Sequence, residues 1–158
     1  MSQILIRPAV PSLASLLALI HTESFGAEGW STEQMRGSLG LATTEGDVAF
    51  ESATPVGFIL CQTTPDECEI LTFCVRPVLR RRGIGEQLLR YAIDQARTQD
   101  RGKIFLEVAA DNIAARALYE KLGFTIAGTR PGYYKRGAVT VDGIRYQKSE
   151  NRDRASDG

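Results

Sequence analysis

The chain has 158 residues, enough for one domain with a hydrophobic core. Its hydrophobic fraction of 43% and charged fraction of 24% are ordinary for a globular protein. Acidic and basic residues number 19 each, so net charge gives no electrostatic argument for a nucleic-acid partner. No apolar run approaches the ~20 residues that cross a bilayer, and we expect no membrane association.

The cysteine and histidine content argues against a disulfide framework or a zinc site. Cys61, Cys68 and Cys74 form an odd set without a Cys-x-x-Cys pair, and the chain has one histidine. The first residues lack the charged-then-apolar layout of a signal peptide. We therefore expect no metal, and a cytoplasmic location in which thiols stay reduced.

The first half of the chain predicts strands and two helices. Ser12 is placed to cap a helix that ends near His21, which we interpret as a packing residue rather than a catalyst. Ser31 and Gln34 have the spacing of a capping box at the start of a second helix. The predicted strands cover residues 4–7, 48–51, 56–61 and 69–75.

The second half alternates helices with strands. Asn112 is a plausible cap for the later helix, and Gly123 is its expected end. Helices are predicted at residues 84–98 and 113–122, and strands at 104–108, 124–128 and 139–146. The pattern indicates a single α/β domain over residues 1–147, with a mixed central sheet of about six to seven strands and helices on both faces. The polar residues 148–158 are expected to form a disordered tail.

The connection between the strand at 69–75 and the following helix has the features of an anion site. The first N–H groups of a helix lack partners within the helix and lie at the positive end of its dipole. Gly83 and Gly85 allow backbone to approach a bulky polyanion, and Arg80, Arg81 and Arg82 add positive charge. No Gly-Lys-Ser/Thr follows and no third glycine completes a dinucleotide fingerprint, so neither a P-loop nor a Rossmann site is indicated.

Two motifs connect this site to a known family. Arg80-x-x-Gly83-x-Gly85 resembles the acetyl-CoA pyrophosphate loop of the GNAT family of N-acetyltransferases. The run from Asn112 through Leu118-Tyr119 to Gly123-Phe124 resembles a more specific motif of the same family. The resemblance covers about residues 4–146, and within the family it is strongest to RimI-type ribosomal-protein alanine N-acetyltransferases.

This resemblance implies a GNAT-like fold in which the central parallel strands splay apart. It also implies transfer of an acetyl group from acetyl-CoA to the N-terminal amine of a small-subunit ribosomal protein. Splayed strands leave backbone groups unpaired, and the amide-bearing arm of the co-substrate can take those hydrogen bonds. The implied cofactor-binding residues are Phe73, Cys74, Val75, Arg80, Arg81, Arg82, Gly83, Ile84, Gly85, Asn112 and Tyr119.

Glu107 and Tyr119 are the candidate catalytic residues. Glu107 alternates with apolar neighbours on a predicted strand, a position that fits a general base, a solvent-facing glutamate or an arginine partner equally well. The family resemblance favours the general base. Tyr119 is the candidate acid for the leaving thiolate, with packing as the alternative. Glu69, on the neighbouring strand, is the rival base or a helper. A covalent route through Cys74 is less favoured because no base is evident near it.

Candidate substrate-binding residues are Trp30, Glu69, Tyr133 and Tyr134. Trp30 also has the position of a core anchor, and the two tyrosines could instead stabilise a turn by stacking. Two features depart from the family pattern. Arg76 stands where an acidic or small residue usually precedes the proline, and the last strand lacks the usual methionine.

Three alternatives to protein N-terminal acetylation remain from the sequence. The acceptor could be a lysine, a polyamine or another small amine, or the domain could sense CoA without catalysis. A nucleic-acid binder is supported only by the arginine run, without an extended basic face. The sequence does not indicate the oligomeric state.

Overall fold

A computed structural model describes residues 3–80 and 82–149. Its strands are Ile4–Pro8 (β1), Thr44–Glu51 (β2), Thr54–Thr63 (β3), Glu67–Val75 (β4), Lys103–Ala109 (β5), Thr125–Arg136 (β6) and Val139–Ser149 (β7). Its helices are Ala14–Phe25 (α1), Thr32–Leu39 (α2), Ile84–Thr98 (α3) and Ile113–Lys121 (α4). These elements confirm the predicted α/β class with a mixed sheet.

Local capping chemistry explains where two helices begin. The Gln34 amide donates to Ser31 Oγ at 3.1 Å, and the Ser31 amide donates to Gln34 Oε1 at 2.8 Å, which confirms the capping box. Asn112 Oδ1 accepts from the Ala115 amide at 3.2 Å at the start of α4. The prediction for Ser12 was wrong, because α1 begins after a short 3-10 turn and has no side-chain cap.

Residue contacts divide the described chain into two units. The first contains the described residues up to Thr64 together with Leu71–Asp94. Its strand order is β1-β2-β3-β4, and β1, β2 and β3 pair antiparallel. Helices α1 and α2 pack with the strands around buried side chains, among them Leu17, Met35 and Phe58. Strand β1 lies at the edge of the sheet and ends at Pro8. Proline has no N–H to donate to a neighbouring strand, so within sheets it is tolerated mainly on edge strands such as this one.

The second unit contains Pro65–Ile70 and the described residues from Gln95 onward. Its strand order is β4-β5-β7-β6. Strand β4 pairs parallel with β5 over Glu67–Glu69, and β5 and β6 both pair antiparallel with β7. The short parallel ladder is compatible with strands that part beyond it, and the splay itself stays a prediction.

The chain after α4 differs from the sequence-based expectation. Residues 131–136 belong to β6, although a loop was predicted there. The register between β6 and β7 shifts from Arg130↔Gly143 to Tyr134↔Val141, so β6 has more residues than β7 over this stretch and forms a bulge. The alternation of apolar and polar residues in the sequence does not indicate such a bulge. Strand β7 reaches Ser149, so Lys148 and Ser149 are not part of a tail, and the rest of the predicted tail lies outside the described residues.

None of the helices within residues 3–80 and 82–149 is long and apolar enough to span a bilayer. Across the same residues, no group of three or more His, Cys, Asp or Glu side chains is arranged to hold a metal ion.

Candidate active site

The N-terminus of α3 and the residues before it form a candidate anion-binding segment, which we call the anion loop (residues 80–85). Gly83 has a φ of +79°, a left-handed conformation that favours glycine, and its carbonyl accepts from the Gln87 amide at 3.1 Å. The site that a Cβ on Gly83 would occupy is open. A Cβ on Gly85 would lie 3.3 Å from Phe73 Cζ, so glycine lets α3 approach β4 closely.

The arginines of the anion loop already have protein partners. Arg80 Nε donates to the Val75 carbonyl and Arg80 Nη2 to Ser24 Oγ, both at 3.3 Å. Arg82 forms an ion pair with Glu51, and the guanidinium donates hydrogen bonds to the Glu51 carboxylate. These hydrogen bonds raise the pKa of Arg82. Arg81 lies outside the described residues. A bound polyanion would therefore compete with Glu51 for Arg82, which the arginine run alone did not indicate.

The end of β4 presents backbone rather than reactive side chains. Cys74 is buried, and burial raises the pKa of its thiol to about 12. A thiol with that pKa is almost entirely protonated at neutral pH, which argues against a covalent acetyl-cysteine route. Ile84 is likewise buried in the core, so only its backbone N–H could face a ligand.

His21 is a structural residue, as predicted. Its Nδ1 accepts from the Trp30 amide at 3.0 Å, which places the proton on Nε2, 2.8 Å from Thr72 Oγ1. Burial lowers the pKa of His21 to about 4, so the ring is neutral near pH 7. Trp30 lies partly buried against the core with its ring 5.1 Å from His21, which supports the anchoring interpretation.

Glu107 projects from β5 between two buried residues, Leu106 and Val108. Its side chain is 16% exposed, and Arg130 Nε lies 2.9 Å from Oε2. The N–H of that arginine is not aligned with the oxygen, and Oε2 has no hydrogen-bond donor among the described residues. Glu107 is thus both an arginine partner and a shielded carboxylate with an acceptor position available to a donor.

Tyr119 is a buried residue of α4. Its ring is 5.9 Å from the rings of both Phe124 and Tyr146. Burial, followed by the charges of Tyr134 and Tyr146, raises the pKa of Tyr119. The pKa of Tyr134 is raised first by burial and then by Glu107. Glu107 and Tyr133 both lie beside Gly143, and the Tyr133 ring packs against Tyr134. We call these residues, together with Tyr119, the Glu107 cluster.

The bulge in β6 places Tyr133 beside Glu107. A Cβ on Gly143, in β7, would lie 3.2 Å from Glu107 Oε2 and 3.3 Å from Tyr133 Cδ2. Tyr133 is half exposed, packs edge-on against Tyr134 at 5.0 Å, and lies 5.0 Å below the Arg130 guanidinium. The sequence analysis did not identify Gly143, because no local pattern indicates that a glycine in one strand lies against a glutamate side chain from another strand.

A polar network behind the cluster was also missed. Tyr146 is fully buried; its hydroxyl donates to Glu120 Oε2 at 2.6 Å and accepts from Arg116 Nε at 3.0 Å. Arg116 also donates to the Ala110 carbonyl at 3.0 Å, across the start of α4. The Tyr146 ring contacts Tyr119, so the hydrogen bonds to the Tyr146 hydroxyl fix the ring against which Tyr119 packs.

Glu69 is less suited to act as the base than Glu107. Its side chain is 48% exposed, and its carboxylate lies 3.5 Å from Arg145 Nη1. Arg145 in turn lies over the Phe105 ring at 4.6 Å. A solvated carboxylate is better placed to contact a substrate at the surface than to exchange a proton in a shielded site.

A family model described as "Acetyltransferase (GNAT) family" matches residues 12–124. This chain belongs to the GNAT acetyltransferase family. The matched region includes the anion loop, Glu107 and Tyr119.

Curated GNAT relatives carry more specific names. The chain is 43% identical over 87 residues to a ribosomal protein bS18-alanine N-acetyltransferase of Salmonella typhimurium, covering 55% of this chain and 59% of the relative. It is 46% identical over 76 residues to the N-alpha-acetyltransferase RimI of Mycobacterium tuberculosis, covering 48% and 46%. The matched part of the chain spans about half the length of these relatives.

Solved GNAT structures match over nearly the whole chain. The ribosomal-protein-S18-alanine N-acetyltransferase of Escherichia coli has a TM-score of 0.83 at 26% identity, covering 93% of this chain and 94% of that one. An N-acetyltransferase of Staphylococcus aureus has a TM-score of 0.84 at 19% identity, covering 95% and 100%. The second likeness concerns the fold alone.

Proposed function

We propose that this chain transfers the acetyl group of acetyl-CoA to the N-terminal α-amine of a protein. The proposed acceptor is the N-terminal alanine of a small-subunit ribosomal protein. The observation that carries the proposal is the shielded Glu107 carboxylate, whose Oε2 is buried beside tyrosine side chains and can accept a proton. The names of the relatives in Salmonella and Mycobacterium support the choice of acceptor.

The chemistry of the acceptor agrees with a single carboxylate base. An attacking amine must be neutral, and an α-amine has a pKa of ~8 whereas lysine has ~10.4. At pH 7, deprotonation therefore costs about 1.4 kcal/mol for the α-amine and about 4.6 kcal/mol for lysine. A glutamate can meet the smaller cost directly or through one water, so an N-terminal acceptor suits this cluster better than a lysine.

Each member of the Glu107 cluster takes a separate role. Glu107 accepts the proton that the amine loses as the new C–N bond forms. Tyr119, whose pKa is raised by burial, stays protonated near neutral pH and donates a hydrogen bond to the sulfur as the C–S bond breaks. Tyr133, half exposed beside Glu107, lines the approach of the acceptor.

The anion loop fits the co-substrate. Acetyl-CoA supplies an acetyl group activated as a thioester, together with a pyrophosphate that needs N–H donors and cations. The open space at Gly83, the N-terminus of the 15-residue helix α3, and the guanidinium groups of Arg80 and Arg82 meet that need. The backbone of β4 at Phe73, Cys74 and Val75 is the proposed partner of the amide-bearing arm. Asn112 keeps its capping role and is proposed to touch the co-substrate as well.

The proposed acceptor sets the place of the reaction. Ribosomal proteins are made and assembled in the cytoplasm, so we propose that location for this chain. The three cysteines are buried and form no disulfide among the described residues, which is compatible with a reducing compartment.

Two peptides test the proposal directly. They share one sequence beginning Ala-Arg; one has a free N-terminus, and the other is blocked there but carries an internal lysine. We expect acetylation, followed by mass spectrometry, on the free N-terminus alone. Turnover on lysine alone would reject the acceptor, and acetyl-CoA binding without turnover on either would favour a small amine or a sensing module.

A further inference from the structure

The last turn of α1 contacts the segment that leads from β4 into the anion loop. Arg76 Nε lies 3.0 Å from Glu23 Oε1, and Arg76 Nη2 lies 2.9 Å from Glu23 Oε2. This is a two-point contact between a planar guanidinium and a carboxylate, the geometry that most restricts orientation. Both side chains are about one-third exposed, at 32% for Arg76 and 30% for Glu23.

Arg76 lies at the point where the chain changes direction. Its amide donates to the Val56 carbonyl at 2.9 Å, as a continuation of the strand. Its carbonyl accepts from the Leu79 amide at 2.8 Å, in the 3-10 turn Pro77–Leu79 that follows. The direction in which the chain leaves Arg76 therefore determines where the anion loop begins.

The next residue of α1 contacts the anion loop itself. Ser24 Oγ accepts from Arg80 Nη2 at 3.3 Å, and the Ser24 hydroxyl also interacts with the Cys74 thiol. Glu23 and Ser24 thus connect one helical turn to both ends of the segment from Arg76 to Arg80. The Arg80 contact is long and lies where an anion would bind, whereas the Arg76 contact is doubled and faces α1.

We propose that Glu23 is a positioning residue for acetyl-CoA, acting through Arg76 on the path of the anion loop. This inference rests on the proposed function, since it assigns the bound polyanion to acetyl-CoA. It also explains why an arginine is accommodated before Pro77, because Glu23 supplies the opposite charge. Neither residue touches the reacting atoms.

Charge reversal separates positioning from long-range electrostatics. Glu23→Arg adds positive charge near a polyanion site, so a purely electrostatic effect would tighten acetyl-CoA binding. Loss of positioning would weaken it instead. We expect Glu23→Arg and Arg76→Glu each to raise the Kd and KM for acetyl-CoA about fivefold, equivalent to about 1 kcal/mol and typical of a good two-point ion pair. We expect kcat to change less than about twofold, because the lost binding is uniform.

The double variant Glu23→Arg with Arg76→Glu should return the acetyl-CoA affinity to within about threefold of wild type, since the pair is restored with reversed polarity. Glu28→Arg is the matched control, because it makes the same charge change on a nearby exposed carboxylate. We expect it to leave the affinity unchanged or slightly higher. Glu23→Gln and Arg76→Lys serve as milder variants if either reversal unfolds, as judged by urea denaturation.

The outcomes are decisive when titration calorimetry and steady-state kinetics are combined. Tighter binding by Glu23→Arg, or no recovery in the double variant, would overturn the positioning role while leaving the proposed function intact. Lower urea midpoints without a change in the Kd for acetyl-CoA would show a purely structural pair and also overturn it. If the wild-type chain binds no acetyl-CoA, the proposed function and this inference fail together.

Discussion

The anion loop and the Glu107 cluster hold their functional groups by opposite means. The Arg82 side chain is 44% exposed, and its contact with Glu51, like the contact of Arg80 with Ser24, lies at the surface, where a ligand can displace it. Tyr119 is buried among aromatic rings, and Glu107 is held in a largely shielded position. The first region suits binding that must be reversed at each turnover, and the second suits groups whose geometry must not change.

This difference between the anion loop and the Glu107 cluster predicts which kinetic parameter a mutation in each region should change. Exposed ion pairs contribute little and are screened by salt, so changes in the anion loop should mainly alter affinity. Shielded groups act on charge that develops during reaction, so changes in the Glu107 cluster should mainly alter kcat.

The largest expected effect comes from Glu107→Gln. The amide keeps the size of the side chain but cannot take a proton from the amine, so we expect kcat to fall about 100-fold, the lower part of the range for a general base. Steady-state kinetics on the free-N-terminus peptide would measure it. Glu69→Gln is the matched control, expected to stay within about threefold in kcat. Equal losses of kcat in both variants would indicate that Glu69 also acts as a base, and Glu107 could then not be distinguished from it.

Tyr119→Phe should give the next largest loss. Phenylalanine preserves the ring contacts with Phe124 and Tyr146 but removes the hydroxyl, so we expect kcat to fall about 30-fold with little change in stability. Single-turnover kinetics would show whether the chemical step slows. A normal rate would mean that Tyr119 is a packing residue, the alternative that the sequence left open.

Gly143→Ala tests whether the cluster is as tightly fitted as the distances indicate. The new methyl group would lie 3.2 Å from Glu107 Oε2 and 3.3 Å from Tyr133, so one of them must shift. We expect kcat/KM for the peptide to fall about tenfold, with acetyl-CoA affinity unchanged. Gly128→Ala on the neighbouring strand is the control, since a Cβ there meets nothing within 4 Å. A similar loss in both variants would point to backbone effects instead of the cluster.

The stability of the unit that carries the anion loop is expected to depend on pH through two buried titratable side chains, His21 and Asp47. Burial lowers the folded-state pKa of His21 to about 4 from its ordinary value of 6.5, so protons bind the unfolded chain preferentially. The stability due to His21 is present above pH 6.5 and is lost as the pH falls from 6.5 towards 4, by about 1 kcal/mol.

Asp47 has the opposite slope, because burial raises its pKa to about 6 from 3.8. Its contribution weakens as the pH rises through that window. Urea unfolding of wild type and His21→Asn between about pH 4.5 and 7.5, a range that includes the ordinary histidine pKa of 6.5, separates the two contributions. The difference between the two proteins should shrink as the pH falls; a constant difference would contradict a buried neutral histidine.

Glu51→Gln should have the smallest effect, a modest increase in the affinity for acetyl-CoA. Removing the carboxylate frees Arg82 from its ion pair, so a polyanion no longer has to displace it. We expect the Kd for acetyl-CoA to fall about threefold at low salt, with the gain disappearing at high ionic strength. Glu33→Gln, on the exposed face of α2, is the control. Weaker binding would show that the Glu51–Arg82 pair organises the loop instead of competing with the ligand.

Features made by contiguous residues could be predicted from the sequence alone. Helix α3 begins at Ile84 after Gly83 as expected, and Asn112 caps α4 as expected, because capping and left-handed turns depend on a few neighbouring residues. The capping box at Ser31 is predicted for the same reason. Glu107 could also be named as a candidate base, because the family resemblance favours that role among those its strand position allows.

Features made by residues far apart in the chain were decided by the tertiary structure. Glu23 meets Arg76, Glu51 meets Arg82, and Gly143 lies beneath Glu107, each across a distance in sequence that no local pattern spans. These contacts depend on strand register, on the bulge in β6 and on side-chain packing. The sequence by itself therefore determined the family, the loop and the candidate base, whereas the fold decided which charges face one another, because electrostatic partners are set by distance in space.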